Sequence, residues 1–139
     1  MPDASAHRFP VRVYFEDTDA GGVVYHAAYL RFAERARTEW LRDLGLRHAQ
    51  LIAEAGLIFV VKRLAIEYVR PARLDESLIV ETHLAGLGRA SVTLAQTVLR
   101  EDTTVASLEV VLACVRLATG RPEAMPEGLR GLIRAQFGV

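Results

Sequence analysis

The sequence predicts an α+β fold in which an antiparallel sheet wraps around one long central helix. One amphipathic helical segment stands early in the chain, and four strand-like segments rich in β-branched residues follow it. The links between those strands are too short for helical crossovers, which favours antiparallel pairing. The chain has 139 residues, of which 51% are apolar, so its length and composition suit a single domain with a full core over residues 1–139.

A short polar loop separates the first strand from the main helix. Phe9–Phe15 places apolar side chains at every second position, which predicts a strand. Two aspartates and paired glycines within Glu16–Gly22 break this alternation and predict a loop. Ala27–Leu44 then has a helical period with a wide apolar arc, and Gly45 is placed to cap its C-terminus.

One cation falls inside that apolar arc. Arg37 lies between Ala33 and Leu41 on the helix surface, where its charge must reach an acid or extend to solvent. We interpret Arg37 as a structural ion pair with Glu34 or with another acid.

The remainder of the chain is predicted to build the sheet. A short second helix over Leu46–Ala55 ends at Gly56. Four strands are then predicted over Leu57–Val69, Glu76–Gly86, Ala90–Arg100 and Thr104–Leu117. Pro71 ends the first of these because proline cannot donate a ladder hydrogen bond. A short closing helix is predicted over Glu127–Phe137.

The last strand is apolar on both of its faces. One face carries Val110, Leu112 and Cys114, and the other carries Val111, Ala113 and Val115. In a chain with one main helix, a strand of this kind implies a second protein surface. We therefore expect dimerisation, either sheet to sheet or edge to edge.

Charge and cysteine content narrow the possible partners and the compartment. Seventeen acidic and seventeen basic side chains balance, so no overall field favours nucleic acid or an anionic membrane. Cys114 is the single cysteine, which excludes an internal disulfide. We see no apolar segment of signal or membrane-spanning length, so we expect a cytoplasmic protein without a membrane span.

Residues 14–26 are the strongest candidate for chemistry, because two aspartates and two glycines stand there directly before a helix. A calcium loop that starts at Asp17 would need oxygen ligands at its fifth and twelfth positions, which are Gly21 and Ala28. An aspartyl phosphotransferase nucleophile is normally housed in a doubly wound parallel sheet, which this chain does not predict. Two interpretations remain: a reactive carboxylate at a helix N-terminus, or turn and capping aspartates.

Two features favour the reactive carboxylate. A helix N-cap uses one side chain, whereas this loop carries two aspartates, Asp17 and Asp19. His26 stands at the start of the helix, seven residues after Asp19, and adds a group that can transfer protons.

Two segments closely resemble the hot-dog-fold acyl-CoA thioesterases: residues 11–30, VRVYFEDTDAGGVVYHAAYL, and residues 32–41, FAERARTEWL. The closest branch is that of the bacterial Tol-Pal-associated thioesterases, within the 4-hydroxybenzoyl-CoA thioesterase family. Residues 59–68 and 112–117 match the same branch. The resemblance implies a five-stranded sheet around the helix, a dimer with a continuous sheet, commonly a dimer of dimers, and active sites at the subunit interface.

The same resemblance implies hydrolysis of acyl-CoA to a carboxylic acid and free coenzyme A, with no metal or redox cofactor. It places the essential carboxylate on Asp19, as general base or as nucleophile, and an active-site histidine on His26. The thioester oxygen would accept a hydrogen bond from a backbone N–H at the helix start, that of His26 for preference. The expected substrate-binding residues are Gly21, Gly22, Tyr25, Phe59, Val60, Arg89 and Ser91.

These residues have different expected tasks. The two glycines would let the substrate approach the main chain, and Phe59 and Val60 would set the depth of the acyl pocket. Arg89 resembles a position that contacts the nucleotide of coenzyme A, although a solvated hairpin arginine explains it equally well. Asp17 would shape the loop. Glu34 matches the helix carboxylate of another hot-dog branch, but an ion pair on the helix face explains it better.

One residue departs from the pattern of the branch. Phe15 stands where the branch often carries a tyrosine, and Tyr14 is expected on the opposite face of the strand. Two alternative functions stay open: a thioesterase or dehydratase of the same fold that acts on acyl carrier protein, and a non-catalytic adaptor that binds an acyl carrier or an envelope complex.

Overall fold

The computed structural model describes residues 6–137 and confirms the predicted α+β class and order of elements. Residues 1–5 and 138–139 of the predicted domain lie outside the described residues. The strands are β1 (His7–Arg12), β2 (Leu57–Tyr68), β3 (Ser77–Leu87), β4 (Ser91–Arg100) and β5 (Thr103–Arg116). The helices are α1 (Ala28–Asp43), α2 (His48–Ala55) and α3 (Glu127–Arg134), with 3₁₀ turns at Phe15–Asp17 and Ala135–Phe137. None of the helices in the described part of the chain is long and apolar enough to cross a membrane.

The five strands form one antiparallel sheet in the order β1-β3-β4-β5-β2. α1 packs against β1, β3 and β4, so the sheet curves around the apolar arc of the helix. The largest fully buried side chains include Phe32 from the helix and Leu78 and Leu94 from the sheet. Burial of each such side chain contributes about 1.5–3 kcal/mol, so the apolar arc anchors α1 on the sheet. β2 is paired on one side only and forms an edge of the sheet.

The predicted first strand ends three residues early. Its ladder with β3 stops at Arg12, although the Val13 amide still donates to the Glu76 carbonyl at 2.9 Å. The chain then enters a 3₁₀ turn in which Phe15 is 81% exposed and Tyr14 is 61% exposed. The expectation that these two side chains point to opposite faces of a strand is therefore wrong. The turn forms because a carboxylate of the same turn, that of Asp17, accepts the Tyr14 amide.

The second face of β5 is already covered within one chain. Val111, Ala113 and Val115 are each at most 8% exposed, although they lie outside the main core cluster. Because β5 is flanked by β4 and β2, neighbouring strands shield these small side chains. The argument for a dimer from β5 is therefore wrong. Exposed apolar side chains are found instead on the edge strand β2, among other places, and Val61 of this strand is 49% exposed.

The predicted ion pair of Arg37 is also wrong. Arg37 is 7% exposed and donates to the Gln96 Oε1 at 3.0 Å. Within residues 6–137 no acid lies within ion-pair distance of its guanidinium. The Gln96 Nε2 in turn donates to the Ala33 carbonyl and to the Thr82 Oγ1, each at 3.0 Å. A neutral amide on β4 therefore takes the place of the expected acid.

Candidate active site

The loop before α1 is a tight backbone hairpin. The Asp19 amide donates to the Val23 carbonyl at 2.9 Å, and the Gly22 amide donates to the Asp19 carbonyl at 3.0 Å. Gly22 has a φ of 79°, a left-handed conformation in which any other residue is strained. A pair of backbone contacts docks the hairpin on the β2–β3 connection, where the Val24 amide donates to the Ala72 carbonyl at 2.8 Å and Val23 bridges to Arg73.

The two aspartates of the loop have different environments. Asp17 is 4% exposed, and its Oδ2 accepts the Tyr14 amide at 2.8 Å. Its carbonyl accepts the Tyr25 amide at 2.8 Å, so Asp17 joins both ends of the loop. Asp19 is exposed, and its Oδ1 accepts the Gly21 amide at 2.8 Å. Its second oxygen accepts no hydrogen bond from the described residues and is open to a substrate or to water.

The absence of a side chain at Gly21 leaves room for the carboxylate that its amide supports. A Cβ atom at this position would lie 3.2 Å from the Asp19 Oδ1, closer than ordinary van der Waals contact. The two glycines therefore have different tasks. Gly21 gives the carboxylate room beside the main chain, and Gly22 turns the chain.

The start of α1 presents backbone donors without partners. The N-cap residue, Ala27, makes no side-chain capping bond, and the Ala28 amide donates to the Tyr25 carbonyl at 2.8 Å. Within residues 6–137 the backbone N–H groups of His26 and Ala27 donate to no protein acceptor. Free N–H groups at the positive end of a helix dipole favour a negative charge beside them.

Two aromatic side chains contact His26, which is itself exposed, and a third packs behind one of them. The rings of His26 and Tyr25 have centroids 4.4 Å apart, and the ring of Tyr68 meets His26 edge-on at 6.5 Å. The Tyr68 hydroxyl donates to the His26 carbonyl at 2.8 Å. Tyr29 packs edge-on against Tyr68 at 5.6 Å, and burial raises the pKa of its phenol, which stays protonated at neutral pH.

Tyr68 is a candidate site residue that the sequence patterns did not indicate, and it is identified by its contacts with His26. The side chain is 45% exposed at the end of β2, 42 positions along the chain from its hydrogen-bond partner His26. One feature of the sequence could have indicated Tyr68. It is the last residue of segment 59–68, which resembles the thioesterase branch, and it stands shortly before the proline that ends the strand. A cavity of about 290 Å³ lies beside this pair, and its walls include Val23, Tyr29 and Pro71.

The other predicted substrate-binding residues lie at the opposite end of the sheet. Val60 pairs with Ala113, which pairs with Ser91, so these three form one row across β2, β5 and β4. Tyr68 pairs with Ala106, seven residues away along β5. That spacing corresponds to about 23 Å of extended strand. A single chain therefore does not bring these residues together with His26.

Each residue of this second group has its own surroundings. Arg89 is exposed in the β3–β4 turn, and its carbonyl accepts the Met125 amide at 2.8 Å. Ser91 is half-buried, and its carbonyl accepts the Gly88 amide at 2.8 Å. Phe59 and Val60 line a separate cavity of about 310 Å³ between α1 and β2. Within residues 6–137 no three His, Cys, Asp or Glu side chains are grouped closely enough to hold a metal ion.

The known proteins that this chain resembles indicate one family. The model of the thioesterase-like superfamily matches residues 13–133. The chain is 48% identical over 122 residues to the acyl-CoA thioesterase YbgC of Haemophilus influenzae, covering 88% of this chain and 90% of that protein. It is 44% identical over 123 residues to the acyl-CoA thioester hydrolase YbgC of Escherichia coli, covering 88% and 91%.

A solved structure agrees with these relatives. The crystal structure of a probable thioesterase from Bartonella henselae superimposes with a TM-score of 0.83 at 37% identity. The superposition covers 87% of this chain and 99% of that chain.

Proposed function

The chain belongs to the thioesterase-like superfamily, and on that premise we propose that it hydrolyses acyl-CoA thioesters to a free carboxylic acid and coenzyme A. The observation that carries the proposal is the exposed carboxylate of Asp19 in the hairpin that leads into α1, together with a helix start whose N–H groups at His26 and Ala27 have no acceptor among the described residues. The names of the two YbgC relatives, at 48% and 44% identity, support the same reaction.

Asp19 supplies the base or the nucleophile. Its Oδ1 is held by the Gly21 amide, so its Oδ2 is the oxygen that faces the reactants. As a base, that oxygen takes a proton from a water molecule whose oxygen bonds to the thioester carbon. The C–S bond then breaks, and coenzyme A leaves as a thiolate that takes up a proton. As a nucleophile, the same oxygen bonds to the carbon, the C–S bond breaks and coenzyme A leaves as a thiolate that takes up a proton. Water then hydrolyses the resulting mixed anhydride, which releases the acid and restores the Asp19 carboxylate.

The start of α1 stabilises the charge that forms on the carbonyl oxygen. The backbone N–H groups of His26 and Ala27 donate to this oxygen, and the helix dipole adds to the effect. Tyr68 holds the same peptide segment from the opposite side through the His26 carbonyl. The imidazole of His26 orients the substrate carbonyl or protonates the leaving thiolate.

A second copy of the chain completes the site in this proposal. Identical edge strands that pair about a two-fold axis run antiparallel. β2 is the long unpaired edge, with the Tyr68 end at His26 and the Phe59 end at the row of Ser91. Antiparallel pairing of two β2 strands brings the Phe59 end of one subunit towards the Tyr68 end of the other. Residues that one chain keeps apart then serve one acyl-CoA molecule.

We also propose that the protein belongs to the Tol-Pal-associated branch and acts in the cytoplasm. The matched loop at residues 11–30 supports the branch, and the single cysteine is compatible with a reducing compartment.

Asp19→Asn tests the proposed reaction. We expect kcat/KM for acyl-CoA to fall about a hundredfold or more, because an amide can neither accept the proton nor attack the carbonyl. The measurement is release of free thiol across acyl-CoA substrates from short to long and aromatic.

Glu16→Gln is the matched control, because Glu16 is an exposed acid of the same loop and should leave the rate unchanged. A folded Asp19→Asn variant that keeps the wild-type rate would contradict the assignment. The same substrates carried on acyl carrier protein distinguish the alternative carrier.

A further inference from the structure

The cavity between α1, α2 and β2 is lined in part by a buried charged side chain, that of Arg37. The cavity has a volume of about 310 Å³, and the residues that line it include Phe59, Val61, Leu112, Arg37, Glu34 and His48. Its apolar wall comes from the sheet, whereas its charged groups come from the helices. We call this space the Arg37 cavity.

Arg37 is buried, but its bonding capacity is mostly unused. The side chain is 7% exposed, and its one hydrogen bond to a described residue joins a terminal nitrogen to the Gln96 Oε1 at 3.0 Å. Gln96 is 1% exposed, and its Nε2 donates to the Thr82 Oγ1 and to the Ala33 carbonyl, which fixes the orientation of the amide. A guanidinium has five N–H donors in a planar fork, and most of those of Arg37 have no protein partner.

The unused donors of Arg37 face open space. Among the side chains of residues 6–137, the one fully buried polar atom without a partner is the Nδ1 of His7. The remaining nitrogens of Arg37 are therefore accessible, and the cavity that Arg37 lines is the space that they reach.

The charge of Arg37 is poorly compensated. Burial lowers the pKa of its guanidinium, whereas the charge of Glu34 on the same helix opposes that shift. Glu34 is exposed, so water screens its carboxylate, and it forms no ion pair with Arg37. A buried cation with a neutral partner is costly unless an anion pairs with it, so the cavity favours a ligand with a negative end.

We propose that the Arg37 cavity takes the acyl group of the substrate and that Arg37 selects acyl groups ending in a carboxylate, the monothioesters of dicarboxylic acids. Phe59, Val61 and Leu112 hold the methylene chain, and the guanidinium fork pairs with the terminal carboxylate. This inference rests on the proposed thioesterase activity, because it names the class of acyl group for the same reaction. It also rests on the proposed pairing of two β2 strands, because the cavity lies at the Phe59 end of the sheet and would meet the reaction centre of the other subunit.

The test compares matched acyl groups. Succinyl-, glutaryl- and adipyl-CoA are assayed against butyryl-, valeryl- and hexanoyl-CoA, which have the same chain lengths and no charge at the end. For at least one length, we expect the dicarboxylic substrate to have the higher kcat/KM by about tenfold, the effect of one charge-assisted hydrogen bond in a buried site.

Variants of two arginines on α1 test whether Arg37 causes the preference for dicarboxylic acyl groups. Arg37→Met should bring the ratio of the two substrate classes close to one, and Arg37→Lys, which keeps the charge, should restore part of it. Arg35→Met is the matched control, because Arg35 is exposed on the same helix and should leave the ratio unchanged. Active enzyme with no dicarboxylic preference, or a preference that survives Arg37→Met, would overturn the proposal.

A binding measurement separates this proposal from the thioesterase assignment. Calorimetric titration of the Asp19→Asn protein with glutaryl-CoA and valeryl-CoA requires no turnover. It therefore compares the two acyl ends even if hydrolysis is absent or if Arg37→Met does not fold. Tighter binding of glutaryl-CoA by about tenfold supports selection by the cavity, and equal binding for every matched pair contradicts it.

Discussion

Two residues of the same type, two positions apart, have separate tasks in the loop before α1. Asp17 is buried and accepts a backbone amide, so its carboxylate is used to hold the turn. Asp19 is exposed, and the Gly21 amide occupies one of its oxygens while the other stays open. Each carboxylate accepts one backbone amide, so the difference between them is burial: Asp17 is shielded from solvent, whereas Asp19 is accessible to a substrate in the proposed reaction.

The hydroxyl of Tyr68 is a second single group whose contribution can be tested. Tyr68→Phe removes the hydrogen bond to the His26 carbonyl and leaves the ring contacts with His26 and Tyr29 in place. One neutral hydrogen bond contributes about 1 kcal/mol, so we expect kcat/KM to fall about fivefold through a looser helix start.

A pH–rate profile shows whether Tyr68 acts through His26. If Tyr68 only positions the helix start, the pH–rate profile of Tyr68→Phe should keep the wild-type shape at a lower rate. If Tyr68→His restored the wild-type rate, the phenol hydroxyl would not be needed. Tyr14→Phe serves as control, because the Tyr14 side chain is 61% exposed and should not affect the rate. An unchanged kcat/KM in Tyr68→Phe would remove Tyr68 from the site.

Among the described elements, β2 carries the most large apolar side chains that are exposed to solvent. It is 12 residues long, pairs with β5 on one side, and exposes Val60, Val61 and Tyr68. A long apolar edge of this kind tends to pair with another strand unless charges protect it. Lys62 and Arg63 are exposed at its centre, where the register with β5 shifts. This irregularity separates the half of β2 at Phe59 from the half at Tyr68.

Val61→Lys tests whether β2 is the dimer edge. The wild-type protein should sediment as a dimer or as a dimer of dimers, and the variant should dissociate at a concentration about tenfold higher or more. The added charge meets its own copy across the two-fold axis, and the buried apolar area is lost.

Leu132→Lys provides the comparison for this edge. Leu132 is 47% exposed on α3, away from β2, so its replacement should leave the sedimentation of the protein unchanged. A stable wild-type monomer at micromolar concentration would contradict the dimer, and full activity of that monomer would contradict a site shared between subunits.

At the scale of the whole molecule, the fold separates the proposed reaction centre from the proposed nucleotide-binding turn. The helix start lies at the Tyr68–Ala106 end of the sheet, and Arg89 and Ser91 lie at the Ala113 end. The chain beyond β5 folds back at this second end. There Arg116 donates to the Glu123 Oε1 at 2.7 Å and forms a second bond to the other oxygen.

The Arg116–Glu123 pair predicts that the stability of the fold decreases at acidic pH. The hydrogen bond from Arg116 lowers the pKa of the Glu123 carboxyl below its usual value of about 4.3. The pair therefore stabilises the fold above the unfolded-state pKa, and that contribution is lost as the pH falls through the lower folded-state pKa. We expect Glu123→Gln to lower Tm at neutral pH and the difference from wild type to shrink in acid.

Thermal unfolding from neutral pH into the acid range measures this effect. Glu16→Gln is again the control, because Glu16 is exposed and should not alter the shape of the curve. A Tm difference between Glu123→Gln and wild type that does not change with pH would show that the pair does not titrate as described.

Local patterns in the sequence were sufficient to predict the strands, the helices and the loop before α1. Period-two and helical spacing predicted all five strands and all three helices to within a few residues, because side-chain periodicity follows from the geometry of each element. The acids and glycines before α1 were sufficient to predict that Asp19, Gly21 and Gly22 share one turn and that His26 stands close to the first residue of the helix. The strand was extended to Phe15 in error, because alternation alone cannot show that the Asp17 side chain turns the backbone.

Contacts between distant residues required the folded chain. Gln96 stands 59 positions after Arg37, and no spacing in the sequence indicates that a neutral amide replaces the expected acid. The covered second face of β5, the bond from Tyr68 to His26 and the distance between the two groups of site residues all depend on strand order and register. Periodicity determines which face of an element is apolar, whereas the partners of that face depend on how the elements pack.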